Sequence, residues 1–178
     1  FNIYDELPIK VILDYAHNPA AIATITDLAT RLDVGEKRRI VMAMPGDRRD
    51  EDVLAEANIT AKGFGTFICK ADDDRRGRGH DEVPQMLKQT LLDAGIDEAN
   101  IQVIPAEEDA VEQGLKDCKK GDLLIILGDN ITRCWKQIVH FNSDADPDNQ
   151  DETPSKHFPE KLFEFLRQPY GEIESGFR

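Results

Sequence analysis

KVILDYAHNPAA, residues 10–21, joins an apolar run directly to the start of a helix. The run KVIL has the composition of a buried strand. Asn18 is a good helix N-cap, and Pro19 suits the first helical position, where its missing N–H costs nothing. The acid, the phenol and the imidazole that precede Asn18 are more than a turn needs for folding. This stretch therefore predicts a strand, a polar loop that is a candidate site, and a helix.

The same strand–loop–helix pattern recurs along the chain. The predicted strands cover residues 10–13, 38–44, 66–70, 101–105 and 122–129, and the predicted helices cover residues 18–32, 52–64, 83–94, 107–118 and 131–141. Short links between alternating strands and helices indicate right-handed crossovers. We therefore predict the α/β class, with a Rossmann-like doubly wound and mainly parallel sheet. Residues 1–9 precede the first predicted strand as a lead-in.

The composition changes after residue 141. The segment NSDADPDNQDETPS has almost no apolar residue and no basic one, which predicts an acidic linker or disordered loop over residues 142–157. Residues 158–178 form a predicted tail with a short apolar helix, which either docks on the domain or binds a partner. Residues 1–141 are the predicted α/β domain. Because the chain begins without a methionine, we expect a fragment of a longer protein.

Composition excludes several classes of function. The formal charge of −13 argues against a nucleic-acid-binding surface, which needs a basic face. No apolar run is long enough to span a bilayer, so we expect no membrane partner. The three cysteines are odd in number and form no CxxC pair, which indicates reduced thiols in a cytoplasmic protein rather than metal ligands or disulfides.

Polar groups collect in the loops that follow four of the predicted strands. These loops read DYAHNP, PGDRRDED, ADDDRRGRGHDE and GDNITR, whereas LDVGEK, DAGIDEAN and DCKKG at the other ends are ordinary turns. The carboxyl ends of parallel strands share one edge of the sheet, where ligands bind. We call this edge the rim, and the asymmetry predicts that the rim is functional.

Arginines and acids alternate on the rim. Arg48 and Arg49 stand at a helix start, where the helix dipole disfavours cations, and their guanidinium groups suit a carboxylate or a phosphate. Neighbouring acids can hold a cationic guanidinium or simply neutralise the arginines. A self-neutralising charged loop is the alternative interpretation. The candidate substrate-binding residues are Arg48, Arg49, Asp47, Asp73, Arg75, Arg76 and Arg78.

Several common motifs are absent. The sequence has no GxxxxGK[ST] phosphate loop and no GxGxxG after the first strand, so this piece does not bind ATP or a dinucleotide by itself in the usual way. GxSxG and HExxH are also missing. A response-regulator receiver has the same fold class, but its key acids and lysine do not match. Here the third strand ends on Lys70 and the fifth ends in Gly-Asp.

The rim loops carry a family resemblance. DYAHNP after a short lead-in resembles the C-terminal domain of the Mur ligase superfamily, which includes the amino-acid-adding enzymes of peptidoglycan synthesis and folylpolyglutamate synthetase. PGDRRDED, DDDRRGR and GDNITR are similar to the Mur-like C-terminal part of the cyanophycin synthetases. The resemblance covers residues 1–141 and does not extend into the tail.

The resemblance implies an ATP-dependent carbon–nitrogen ligase that forms amide bonds through an acyl phosphate. ATP and Mg²⁺ are then held mainly by a preceding central ATPase domain of the same chain, and the fragment alone is inactive. The Mur-like half of cyanophycin synthetases adds arginine to the side-chain carboxylates of poly-aspartate, so an amino acid and a polypeptide are the implied substrates.

The resemblance also assigns roles on the DYAHNP loop. It implies His17, Asn18 and Asp14 as catalytic residues, and Asp14, Tyr15 and His17 as parts of the ATP pocket. No metal ligand is assigned in this piece. Two alternatives stay open: the C-terminal domain of another Mur-type ligase, of the peptidoglycan or folylpolyglutamate kind, and a stand-alone module that binds an amino acid or an anion.

Overall fold

A computed structural model describes residues 2–35 and 37–141 of the chain. The strands are β1 (Asn2–Tyr4), β2 (Lys10–Asp14), β3 (Arg38–Met42), β4 (Thr66–Cys69), β5 (Ile101–Val103) and β6 (Leu123–Leu127). The helices are α1 (Pro19–Arg31), α2 (Asp50–Thr60), α3 (Glu82–Asp93), α4 (Glu107–Asp117) and α5 (Ile131–His140), with a 3₁₀ turn at Glu98–Asn100. The predicted linker over residues 142–157 and the tail over residues 158–178 lie outside the described residues, so the domain boundaries stay a prediction.

The strands of the described residues form one six-stranded sheet. Its strand order is β1-β2-β6-β3-β4-β5, and every neighbouring pair except β1–β2 is parallel. The predicted α/β class with a mainly parallel sheet is confirmed. The sequence did not predict β1, which pairs antiparallel with β2 through Ile3 and Ile12. β1 has three residues and no fully buried position, so it forms by pairing with an edge rather than through an apolar pattern of its own.

The register of the sheet aligns the carboxyl ends of the parallel strands. Asp14 at the end of β2 pairs with Leu127 at the end of β6. Met42 at the end of β3 pairs with Cys69 at the end of β4, which in turn pairs with Val103 at the end of β5. The loops that follow these five strands therefore leave the sheet at one edge, which is the rim.

Two layers of helices cover the sheet. Helices α1, α2 and α3 pack side by side, and α4 packs against α5 with the other set of strand residues. Every residue of β6 is buried, as expected for a central strand covered on both faces. The apolar cluster under α4 and α5 contains Leu7, Ile9, Val11, Leu13, Val41, Ile68, Ala110, Val111, Leu115, Leu124, Ile126, Cys134 and Ile138.

No helix within residues 2–35 and 37–141 is both long enough and apolar enough to cross a bilayer. The three cysteines are free thiols, with Cys69 and Cys134 buried and Cys118 half-buried. Burial is the largest influence on each thiol and raises the pKa of all three, to about 12 for Cys118 and Cys134. The thiols are therefore held in the protonated, weakly nucleophilic form.

Helix α2 buries an acid. Glu56 is fully buried, and neither of its carboxylate oxygens has a hydrogen-bond partner among the described residues. Burial raises the pKa of Glu56 well above its ordinary value, and the charge of Lys70 offsets this only in part. The carboxyl group is thus held as the neutral acid, and ionising it inside the core costs stability.

Replacing Glu56 with glutamine should remove a pH-dependent cost. The folded pKa lies above the unfolded value, so protonation favours the folded state and this contribution is lost as the pH rises through the folded pKa. Starting near the ordinary value of 4.5, the wild type should lose up to about 1.4 kcal/mol per pH unit relative to Glu56→Gln. Urea unfolding at a series of pH values measures this, with Glu112→Gln on the exposed side of α4 as the control. Parallel pH profiles for wild type and Glu56→Gln would contradict the prediction.

Candidate functional site

The loop after β2 presents two rings to the rim. Tyr15 is 55% exposed, and its ring centroid lies 5.1 Å from that of His17. Nδ1 of His17 lies 2.9 Å from the carbonyl oxygen of Tyr15. A carbonyl oxygen only accepts, so Nδ1 carries the hydrogen and Nε2 of the neutral ring is the acceptor. The loop thus offers an aromatic surface and a histidine in a defined tautomer.

Asn18 closes this loop as the N-cap of α1. Its side-chain oxygen accepts a hydrogen bond of 3.0 Å from the backbone N–H of Ala21, and Pro19 follows at the first helical position. This is the capping arrangement that the sequence predicts. Asp14 is half-buried at the end of β2, and its carbonyl oxygen accepts a bond of 2.9 Å from the N–H of Gly128 in the loop after β6.

The loop after β3 holds two adjacent arginines in different surroundings. Arg49 is the N-cap residue of α2, its side chain is 72% exposed, and it pairs with Asp52 at 3.3 Å and Glu51 at 3.2 Å. Arg48 is half-buried, and its Nε is buried without a hydrogen-bond partner among the described residues. Arg49 is thus paired with acids of its own helix, whereas Arg48 has no acid partner in the part of the chain that the structure describes.

The loop after β4 is folded by its own acids. The carboxylate of Asp72 accepts from the N–H of Asp74 at 2.8 Å, and that of Asp74 accepts from the N–H of Arg76 at 3.2 Å. Arg76 has a φ of +48°, in the left-handed region that is uncommon for non-glycine residues. Its guanidinium pairs with Asp47 and lies 3.5 Å from Asp74. The pair with Asp47 connects this loop to the loop after β3.

Arg78 fastens the same two loops together. Its guanidinium donates to the carbonyl oxygens of Gly46 at 2.9 Å and Arg48 at 2.8 Å. It also pairs with Asp50 at 2.7 Å and with Glu82 at 2.9 Å. The backbones approach so closely that a Cβ atom on Gly46 would lie 2.0 Å from the carbonyl oxygen of Arg75, which explains the glycine in PGDRR.

The six arginines of the rim loops therefore divide into two groups. Arg49, Arg76, Arg78 and Arg133 are paired with acids of this chain. Arg48 and the exposed Arg75 make no side-chain hydrogen bond or ion pair within the part of the chain that the structure describes. These two guanidinium groups are the ones available to an external carboxylate or phosphate.

A buried ionic cluster below the rim was not predicted from the sequence. Nζ of Lys70 lies 2.9 Å from Glu107 and 3.2 Å from Asp129, and the side chains of Lys70 and Glu107 are fully buried. Nη2 of Arg133 lies 2.5 Å from Glu107 and 2.7 Å from the carboxylate of Asp73. The four residues Lys70, Glu107, Asp129 and Arg133 are called the ionic cluster below.

The ionic cluster favours the charged forms of Glu107 and Lys70, whereas burial raises the pKa of Asp129. Burial acts to raise the pKa of Glu107, but Lys70, the N–H of Asp129 and Arg133 outweigh it and bring the pKa to about 2. Burial acts to lower the pKa of Lys70, and the charges of Asp129 and Glu107 reverse this and raise it. Both groups are therefore ionised at neutral pH inside the protein. In the sequence, Glu107 looks like an ordinary acid in the first turn of α4. The one sequence feature that indicates the cluster is Lys70, a charged residue directly after the apolar run TFIC.

Hydrogen bonds join the four rim loops in a row. Asp14 connects to Gly128, Asp129 connects to the backbone N–H of Asp73 at 2.9 Å, and Arg76 connects to Asp47. The predicted rim residues are thus brought to one edge of the sheet. His17 is not joined to the rim arginines by any hydrogen bond or ion pair among the described residues. The roles predicted for the individual side chains stay predictions.

Comparison with known proteins gives a consistent result. The family model described as "Mur ligase, glutamate ligase domain" matches residues 1–130. The cyanophycin synthetase of Crocosphaera subtropica is 33% identical over 141 residues, which cover 79% of this chain and 16% of that protein. The UDP-N-acetylmuramoyl-L-alanyl-D-glutamate–2,6-diaminopimelate ligase of Aquifex aeolicus is 29% identical over 129 residues, which cover 72% of this chain and 25% of that protein. The chain therefore spans a quarter or less of the length of these relatives.

Solved structures show the same fold. A UDP-N-acetylmuramoyl-L-alanyl-D-glutamate–2,6-diaminopimelate ligase has a TM-score of 0.60 at 20% identity and covers 70% of this chain and 25% of its own. A bifunctional folylpolyglutamate synthase/dihydrofolate synthase from Yersinia pestis, complexed with AMPPNP and Mn ion, has a TM-score of 0.58 at 20% identity. It covers 79% of this chain and 30% of its own.

Proposed function

This chain belongs to the family of Mur ligase, glutamate ligase domains, and from that premise we propose that it is the C-terminal lid and substrate domain of an ATP-dependent amide ligase. The proposed reaction adds arginine to the side-chain carboxylates of poly-aspartate, as the similarity to cyanophycin synthetases suggests. The observation that carries the proposal is that Arg48 and Arg75 have no ion pair within residues 2–35 and 37–141, whereas the other rim arginines are paired there.

The rim arginines account for substrate binding. An arginine fork binds a carboxylate with two parallel hydrogen bonds, so Arg48 and Arg75 suit the carboxylate of the incoming amino acid or of the acceptor. The Arg48 guanidinium is partly desolvated, and no acid of the described residues pairs with it, so binding an anion there breaks no ion pair within residues 2–35 and 37–141. Asp47 and Asp73 are engaged by Arg76 and Arg133, so binding a cationic side chain there requires an exchange of partners.

The loop after β2 accounts for nucleotide binding. Its exposed Tyr15 ring, the imidazole of His17 and the half-buried Asp14 fit a nucleotide, with a stacking surface and polar groups at one end of α1. ATP, when bound, supplies the phosphoryl group that activates the acceptor carboxylate. Nε2 of His17 can accept a proton or, when protonated, stabilise negative charge, while Asn18 holds the loop on α1.

Mg²⁺ belongs, in this proposal, mainly to a Mur-type central ATPase domain that precedes this one, as the resemblance of the rim loops implies. Among residues 2–35 and 37–141, no three His, Cys, Asp or Glu side chains are grouped to hold a metal ion. The lid brings the amino acid and excludes water, which would hydrolyse the activated carboxylate. The free thiols favour a reducing, cytoplasmic location.

An assay of the ligase that contains this chain tests the proposal. With ATP, arginine and an aspartyl peptide, we expect phosphate release that requires both substrates, and a peptide whose mass rises by one arginine residue. The 178-residue chain alone should show no turnover. Turnover with a peptidoglycan precursor or a folate instead would move the protein to another Mur-type reaction. Arginine binding by the chain with no turnover in any longer form would favour a stand-alone binding module.

A further inference from the structure

The ionic cluster connects the protein core to the first half of the loop after β4. Asp129 accepts both the Nζ donor of Lys70, at 3.2 Å, and the backbone N–H of Asp73, at 2.9 Å. Arg133 places one nitrogen between the buried Glu107 and the carboxylate of Asp73. Asp73 is thus held twice, through its backbone and through its side chain, by groups that are themselves fixed.

Glu107 makes the anchor rigid. It accepts backbone N–H groups of Asp129 at 2.7 Å and Asn130 at 3.2 Å, in addition to its pairs with Lys70 and Arg133. A carboxylate that accepts four donors in a buried position has little freedom to move. The loop after β6 and the end of β4 are therefore locked to each other at one point.

The loop that depends on this anchor carries Arg75 and Arg76. Its second half is held independently, because Arg78 is bonded to the carbonyl oxygens of Gly46 and Arg48. The strained φ of Arg76 and the following φ of +94° at Gly77 lie between the two attachments. Each attachment narrows the range of positions open to Arg75. Losing the Arg133–Asp73 pair, with the Asp129 bond and the Arg76–Asp47 pair still in place, should therefore loosen the loop without releasing it.

We propose that the ionic cluster is a positioning device for substrate binding, with Arg133 as its link to the loop that carries Arg75. This inference rests on the proposed function, in which Arg75 meets a substrate carboxylate. Arg133 touches neither nucleotide nor substrate in this account. It acts through Asp73, so its loss should weaken amino-acid binding and leave the chemical step and ATP binding nearly intact.

Arg133→Met tests the role of Arg133 as the link to the loop after β4. The Arg133 side chain is 26% exposed, and removing its guanidinium leaves the Lys70–Glu107 pair in place. In the ligase, KM for the amino acid should rise about tenfold, while kcat and KM for ATP change less than about threefold. Arg133→Lys keeps the charge but not the fork, and should lie between wild type and Arg133→Met. Lys116→Met, which breaks an exposed pair with Glu112, is the matched control.

A second measurement separates this inference from the proposed function. In the ¹⁵N NMR spectrum of the 178-residue chain, Arg133→Met should lower the heteronuclear NOE of residues 72–76 and leave that of β4 and β6 unchanged. Unchanged NOE values in residues 72–76 would overturn the positioning role whatever the enzyme does. Lower NOE values with an unchanged amino-acid KM would also overturn it. A wild-type ligase that adds no amino acid would instead contradict the proposed function, and the NMR result would still decide whether Arg133 orders the loop.

Discussion

Lys70→Met should lower the free energy of unfolding by about 3–5 kcal/mol. Lys70 is fully buried between Glu107 and Asp129, at 2.9 and 3.2 Å. Methionine fills a similar volume, so the loss does not come from a cavity. It comes from Glu107 and Asp129, which both lose the Lys70 cation, while Arg133 still pairs with Glu107.

Urea unfolding of the 178-residue chain measures this effect. The control is Lys116→Met on the exposed side of α4, which removes the solvent-exposed Lys116–Glu112 pair. It should change the free energy of unfolding by less than about 1 kcal/mol. Adding Glu107→Gln to Lys70→Met should recover part of the loss, because it removes one of the two carboxylates that have lost Lys70. A loss for Lys70→Met as small as that of the control would show that the ionic cluster does not stabilise the fold.

Arg48→Ala should lower kcat/KM for the amino acid about a hundredfold in the ligase that contains this chain. The substitution removes the partly desolvated guanidinium that pairs with a substrate carboxylate in the proposed function. KM for ATP should change little, since Arg48 lies on the loop after β3 and the proposed nucleotide loop follows β2. Steady-state kinetics with each substrate varied in turn separates the two effects.

Two further variants make the Arg48 result specific. Arg48→Lys should recover only part of the activity, because an ammonium group cannot make the two parallel bonds of a guanidinium. Arg31→Ala, at the end of α1 on the opposite edge of the sheet, removes an exposed arginine paired with Asp27 and should leave the kinetics unchanged. If Arg48→Ala folds normally and keeps its kcat/KM, Arg48 has no part in substrate binding.

The features of the fold that the sequence predicted depend on neighbouring residues or on general rules of sheet geometry. Asn18 and Pro19 form the helix start that their residue types favour, and the continuously apolar run of β6 is buried on both faces. The rim follows from a general rule for parallel strands, and the register confirms that the strands end at one level. These features need no knowledge of distant contacts.

The remaining features depend on contacts between distant residues. β1 forms only by pairing with β2, and the ionic cluster joins Lys70 to Glu107, Asp129 and Arg133 across three loops. The sequence shows that arginines and acids share the rim. It does not show which arginine each acid neutralises, and that pairing is what separates Arg48 from Arg49.

The three free cysteines, Cys69, Cys118 and Cys134, can report the unfolding of this domain through their reactivity. A reagent that needs a thiolate should modify them slowly in the native protein and quickly once the layers open, since an exposed thiol titrates near its ordinary pKa. Pulsed alkylation followed by mass spectrometry would then report exposure of the two buried thiols separately: Cys69 at the end of β4 in the sheet, and Cys134 on helix α5.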